Sequence, residues 1–280
     1  MRLGYSTITW GGVSGTPGGV TSVKDLFYRT AGSTADALRV IAAAGYTGTE
    51  VFDGNLLEFV NEPQRLTDLL EETGLTLVSV YTGANFIFDD IVSEEFAKLE
   101  RAAAMAAAFG AQRLVVGGGA QRVNGPADGD FERLAAGLDR CDELATAAGI
   151  VASYHPHLGT LVETPSALGK VMALSSIRFC PDTAHLAGGG GDPAELIRRY
   201  QHRLAHVHLK DWDIASREFR PLGEGDLDFP GILGAIREAG YDDWLMVELD
   251  YYHGDPKMAA EISKRYIERL LTEDPRSSDR

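Results

Sequence analysis

Ile150-Val-Ala-Ser-Tyr-His-Pro-His157 starts as an apolar run and ends on two imidazoles. The same plan returns at Arg178-Phe-Cys-Pro-Asp182, at Leu204-Ala-His-Val-His-Leu-Lys-Asp211 and at Leu245-Met-Val-Glu248. Each run reads as a β-strand whose end carries side chains able to bind a cation. Helical stretches over 165–173, 193–200 and 229–239 separate these runs, and Gly240 stops the last of them. Toward the N-terminus the alternation continues. Strands are predicted over 3–6, 48–51, 75–81 and 113–116. A long Gly-rich loop and helices over 33–44, 62–73, 93–109 and 130–148 lie between them, with Ser33 as N-cap of the first helix and Ala37, Leu38, Ile41 and Ala44 at helical spacing. A last helix is expected over 257–271. Eight strands, each followed by a helix, within 280 residues is the arithmetic of a single-domain α/β (β/α)₈ TIM barrel. A doubly wound open sheet would gather its chemistry at one switch point, whereas here it is spread over many strand ends. The barrel is expected to occupy 1–272, and the polar tail 273–280 to be disordered.

The bulk properties narrow the function. At 44% hydrophobic the chain can bury one large core, and a formal charge of −15 disfavours a nucleic-acid partner, which needs clustered Lys and Arg. Cys141 and Cys180 fall on a helix and a strand and suggest neither a disulfide framework nor a thiolate zinc site, so a reducing compartment is expected. No charged-then-apolar leader opens the sequence and no apolar run approaches a membrane span, which gives the expectation of a soluble, cytoplasmic protein.

Period-two alternation places Cys180 with Asp182 on one strand face, His206 with His208 and Lys210 on another, and Met246 with Glu248 on a third. Asp182, His208 and Glu248 can therefore converge above a barrel as mixed nitrogen and oxygen ligands for Mn²⁺, Co²⁺, Zn²⁺ or Mg²⁺. Any one of them alone would be an ordinary polar residue at a loop start. Pro156 ends the fifth strand, so that His155 and His157 are expected to line the rim, where one could complete the cation's shell and the other act as base; a core histidine bonded to a backbone carbonyl is the alternative for either. Glu50 ends the second strand and serves either as a base or as a partner that orients a ligand histidine. Trp10 is a candidate floor for a sugar ring, with an ordinary core tryptophan as the alternative. Gly117-Gly-Gly119 could admit a ligand close to the backbone, and Gly188–Gly191 reads as a flexible loop.

With these residues in view, the chain resembles the xylose-isomerase-like TIM barrels, a superfamily of sugar isomerases, epimerases and lyases. Within it the chain is most similar to the inosose dehydratases, which dehydrate 2-keto-myo-inositol in inositol catabolism. The matching pieces are Gly48-Thr-Glu-Val51, Tyr154-His-Pro-His-Leu-Gly-Thr160, Asp182-Thr-Ala-His185, His206-Val-His-Leu-Lys-Asp211, Gly223-Glu-Gly-Asp-Leu-Asp-Phe229 and Val247-Glu248, in the same order over most of the chain. The resemblance implies a divalent metal, Mn²⁺ first, held by Asp182, His208 and Glu248. It puts His155 where many members carry a fourth, glutamate ligand, and His185 and Lys210 where relatives touch substrate oxygens. Inosose dehydratases carry an insertion where only Trp212–Leu222 stands here, and the loop after the first strand also looks different. C-glycoside deglycosidase catalytic subunits, which act on 3-keto-glycosides, fit such a departure.

The chemistry implied is proton abstraction next to a carbonyl, without a nicotinamide cofactor, since no Gly-rich dinucleotide fingerprint follows a strand. Dehydration is the main reading; ketose epimerisation, aldose–ketose isomerisation and 3-keto-glycoside cleavage are the alternatives. An endonuclease IV-like phosphodiesterase would need more metal ligands and a DNA groove. The expected roles are His157, Lys210 and Glu50 in catalysis, His185, Trp10 and His206 on the substrate, and His155, Asp182, His208 and Glu248 on the metal. The expected partner is a small polyhydroxylated carbonyl compound, with no nucleic acid and no membrane; a homo-oligomer or a small partner subunit is compatible with the sequence.

Overall fold

Strand pairing in the computed structural model, which describes residues 1–10, 27–30, 32–83 and 85–273, begins from the N-terminus. β1 (Arg2–Ser6) lies parallel between β2 (Gly48–Phe52) and β10 (Trp244–Val247). From β2 the sheet runs through β3 (Thr76–Gly83), β4 (Arg113–Gly117) and β5 (Val151–His155) to β6 (Arg178–Phe179), and from β10 to β7 (His208–Leu209). Parallel bridges Phe179↔Leu204 and Asp182↔His208 join the two edges, so the eight strands close into a barrel. The remaining two strands, β8 (Asp211–Asp213) and β9 (Glu218–Arg220), form an antiparallel hairpin directly after β7.

Helices α1 (Thr34–Ala43), α2 (Asp53–Leu56), α3 (Pro63–Thr73), α4 (Val92–Ala108), α5 (Asp130–Ala147), α6 (Pro165–Leu174), α7 (Thr183–Gly188), α8 (Pro193–Arg199), α9 (Phe229–Glu238) and α10 (Pro256–Thr272) fill the connections. Local chemistry sets their starts. Ser33, Thr164, Asp192 and Asp255 each accept a backbone N–H of the first turn, and proline occupies the first turn of α3, α6, α8, α9 and α10. The layer between strands and helices is the main core, with Leu38, Leu99, Leu114, Phe179 and Phe229 fully enclosed. None of the described helices is long and apolar enough to cross a membrane. Cys141 and Cys180 are buried and free.

Two predicted strands come out shorter than the sequence suggests. The sixth stops at Phe179, because Pro181 has no N–H to give a ladder and Asp182 turns to cap α7, accepting from the His185 N–H at 2.9 Å. The seventh is regular only at His208–Leu209, although Ala205, Val207 and His208 keep irregular backbone bonds to both neighbours. The Gly-rich loop after β1 falls largely on residues 11–26, and the tail on 274–280, outside the described residues.

Gly117-Gly-Gly119 does not read as a ligand cradle once folded. A Cβ on Gly117 would lie 1.6 Å from the Tyr81 hydroxyl, and one on its cross-strand partner Gly83 would lie 1.7 Å from the Tyr28 ring. The carbonyls of Gly118 and Gly119 accept from the Tyr154 hydroxyl (3.0 Å) and the Leu161 N–H (3.2 Å). These glycines make room for tyrosines at the barrel mouth. Gly117→Ala is therefore expected to lower stability by about 1–3 kcal/mol through overpacking, read as a lower urea midpoint at unchanged m-value. A substitution as mild as wild type would show that Tyr81 has room to move.

Candidate metal centre

Four strand ends deliver four side chains that could hold a metal ion. β5 stops at His155, Asp182 follows β6, His208 opens β7 and Glu248 follows β10. One donor atom from each lies within 4.8 Å of all the others, and every side chain is buried. Ligands about 2.0–2.2 Å from a shared cation sit roughly 3–4.4 Å apart, so this spacing needs little adjustment to accept one. Neither nitrogen of His155 has a hydrogen-bond partner, nor does Asp182 Oδ2. Buried polar atoms without partners cost about 1–3 kcal/mol each unless something satisfies them, and one cation satisfies several. The two-imidazole, two-carboxylate donor set fits a borderline divalent cation.

Below this ring lies a polar floor. Glu50 Oε2 accepts from Ser79 Oγ at 2.6 Å and from His208 Nε2 at 3.2 Å. His206 Nε2 sits 3.2 Å from Ser79 Oγ and 3.6 Å from Glu50. Glu50 thus holds one nitrogen of His208 while Nδ1 of the same ring faces Glu248, which is the outer-carboxylate arrangement that orients a metal-binding histidine. Burial opposes ionisation of Glu50, yet His208 and His206 bring its pKa down to about 2. His206 belongs to this fully enclosed floor rather than to the substrate face.

Above the ring sits a cationic roof. Lys210 Nζ lies 2.9 Å from Asp250 Oδ1, 3.1 Å from Glu248 Oε1 and 3.3 Å from Asp182 Oδ2, and it donates to His185 Nε2 at 3.1 Å. Burial works against its charge, but three carboxylates hold its pKa above the ordinary lysine value. Asp182 and Glu248 stay ionised against their own burial, chiefly because of Lys210. Burial and the neighbouring Glu248 raise Asp250 instead. Beside Lys210, the rings of His157 and His185 meet at 3.7 Å between centroids, tilted by 38°. His157 Nδ1 meets the Leu158 carbonyl at 2.7 Å, so that nitrogen carries the proton and Nε2 keeps its lone pair. Burial, His155 and Lys210 lower the His157 pKa to about 4, and burial with His157 keeps His185 neutral as well.

Of the residues expected from the sequence, His155, His157, Asp182, His185, His208, Lys210 and Glu248 come together, with Glu50 and His206 one layer below. Trp10 is set apart, edge-on to Tyr5 at 5.4 Å in a short 3₁₀ turn. Asp250 was not anticipated: it stands two residues past Glu248, beyond the end of β10. Ser79 was also missed, as was Asp211, whose carboxylate accepts the N–H groups of Trp212, Gly223, Gly225 and Leu227 and so ties the hairpin and the following loop to the end of β7.

His208 lies between two carboxylates, with Glu248 at Nδ1 and Glu50 at Nε2. Burial disfavours its charge, but Glu50, Cys180 and Glu248 raise its pKa well above 6.5. A cation bound at Nδ1 replaces that proton. Titration of metal-free protein with Mn²⁺ is therefore expected to release about one proton, with affinity rising roughly tenfold per pH unit while His208 starts protonated. Calorimetry in two buffers of different ionisation enthalpy checks this; buffer-independent heats would refute it. Glu50→Gln is expected to weaken binding about 10–100-fold.

The model of the xylose isomerase-like TIM barrel family matches residues 38–270. The inosose dehydratase of Lacticaseibacillus casei is 30% identical over 269 residues, an alignment covering 84% of this chain and 89% of that protein. Among solved structures, an L-ribulose 3-epimerase superposes with a TM-score of 0.72 at 19% identity, covering 99% of this chain and 97% of its own. A xylose isomerase-like TIM barrel/4-hydroxyphenylpyruvate dioxygenase fusion protein superposes with a TM-score of 0.75 at 19% identity, and the chain spans 96% of itself but 42% of the fusion. The structural matches speak for the barrel, and the family model and the dehydratase for its descent: the chain belongs to the xylose isomerase-like TIM-barrel family, as an enzyme of the lyase, isomerase or epimerase kind.

Proposed function

We propose that this protein is a divalent-metal-dependent lyase that removes a proton next to the carbonyl of a keto-cyclitol or keto-sugar, with dehydration as in inosose dehydratases. The observation that supports this reading is that half-buried His157 and buried Lys210 lie beside the cluster of His155, Asp182, His208 and Glu248. His155, Asp182, His208 and Glu248 would hold the cation, which when bound supplies Lewis acidity to a substrate carbonyl and an adjacent hydroxyl.

The remaining work falls to the chain's own side chains. His157 Nε2 takes the proton from carbon, and the Leu158 carbonyl fixes the tautomer that leaves this lone pair available. The C–H bonding pair moves into the carbonyl group. Lys210 brings its positive charge to the oxygen that gains negative charge, and Asp250 holds that ammonium in place. In dehydration the β-hydroxyl departs with a proton returned from His157, so that water is the net product. Glu50 supports His208 from below, and this location favours His157 over Glu50 as base.

Incubation with Mn²⁺ and a panel of keto-cyclitols, 3-keto-glycosides and ketoses in D₂O tests the proposal. Solvent deuterium at the carbon next to the carbonyl is expected, and its absence from every compound would sink the reading. Loss of water marks a dehydratase, exchange with inversion an epimerase, and release of an aglycone a 3-keto-glycoside lyase. His157→Asn is expected to cut exchange about 10²–10⁴-fold at saturating Mn²⁺. Because the His157 pKa is lowered to about 4, its base form persists as pH falls from 7 to 5 and is lost only near 4. Exchange should show no apparent pKa near 6.5 that belongs to this group.

A further inference from the structure

Directly after Lys210 the chain makes the tight hairpin β8–β9. Register pairs Trp212 with Phe219 across it, and the rings meet at 5.2 Å. Phe219 then reaches over the roof of the site. Its ring centroid lies 4.8 Å from Lys210 Nζ and 5.1 Å from the His185 ring, at an interplanar angle of 81°. Trp212 is buried while Phe219 is half-buried, so part of the Phe219 residue stays exposed. The hairpin is held at both feet, because Asp211 accepts from Trp212, Gly223, Gly225 and Leu227, and the Asp226 carboxylate accepts from the Ile214 N–H at 2.8 Å. An aromatic ring on a rigid hairpin is positioned rather than adaptable.

A second aromatic ring lies near the proposed ligands. Tyr81 on β3 stands edge-on to His155 at 5.4 Å. In the closed ring of strands β3 lies four places from β7 in either direction, which is the far side of the barrel. Tyr81 thus stands beside one of the four proposed ligands and Phe219 beside Lys210, on elements from opposite sides of the barrel.

We infer that Phe219 is a specificity-determining residue: its ring packs against the C–H face of a ring-shaped keto-polyol and selects it over an open-chain ketose. The inference rests on the keto-polyol reading above and adds the residue that reads the carbon skeleton. A flat ring buries C–H surface on an aromatic ring at once, whereas a flexible open chain must lose rotational freedom to do so. Phe219 has no contact with the four proposed ligands among its described ring interactions, so its removal should leave cation binding intact.

The test compares wild type, Phe219→Ala and Phe219→Tyr with Mn²⁺ bound. Phe219→Ala is expected to raise KM for a six-membered cyclic keto-polyol about tenfold or more, with a smaller change in kcat and little change for an open-chain ketose. Phe219→Tyr should keep the wild-type preference. Mn²⁺ affinity and Tm close to wild type show that the alanine variant is folded and loaded. Calorimetric binding of myo-inositol, which lacks a carbonyl and does not react, gives a readout independent of turnover and should weaken by a similar factor. Equal losses for cyclic and open-chain compounds, or unchanged myo-inositol binding, would overturn the role of Phe219. If wild type binds myo-inositol and Phe219→Ala does not, but no keto-polyol is turned over, then the ring-reading role stands and the lyase reading fails. Wild type that binds neither kind of compound overturns both.

Discussion

The charge balance around Lys210 governs the centre of this molecule. Asp182, Glu248 and Asp250 are buried within 3.3 Å of one ammonium, and Glu50 adds a fourth carboxylate below. An isolated buried charge costs several kcal/mol, so such a set persists only where opposite charge is built in beside it. Lys210 and the imidazolium of His208 provide that charge. Removing one partner would leave its neighbours uncompensated, at a cost of about 3–5 kcal/mol. The same two groups stand where chemistry is needed. In the proposed reading one places an ammonium on the substrate side, and the other holds a proton at the nitrogen a cation would take.

The barrel makes this concentration of polar groups tolerable. Apolar side chains fill the layer between strands and helices, while the interior between Ser79 and Asp250 holds buried polar groups, several of them without a hydrogen-bond partner. The mouth has its own apolar boundary. Tyr28 packs against Phe52 and edge-on to Tyr81, and the space these rings take is cleared by glycines on β3 and β4. On the far side, Trp212 and Phe219 rise on a hairpin anchored by Asp211. Low-dielectric walls around a small set of charges strengthen every interaction between them, including any made with developing charge on a substrate.

Much of the site was legible along the chain because a strand has a period of two and a barrel presents the C-terminal ends of its strands at one mouth. His208 and Lys210 share a face, Pro156 ends β5, and Asp182 caps the helix that follows β6. Asp250 lies three residues past the end of β10, where no strand period places it. The depth of His206 was legible too, but its role was not. Its partners Ser79 and Glu50 come from strands across the barrel, 127 residues away in the case of Ser79.

The order of strands and helices, the helix caps and the placing of His155, Asp182, His208 and Glu248 at strand ends were decided by the sequence alone, because propensity, period and capping act over a few neighbouring residues. The division of labour was decided only by the tertiary structure. Glu50 became the support of His208 because Nε2 of that ring points down while Nδ1 points up. Gly117 became a seat for Tyr81, and Phe219 a wall over Lys210. Each of these depends on which side chains meet across the closed ring. Closure pairs residues far apart in sequence through packing and charge, and no local period records that.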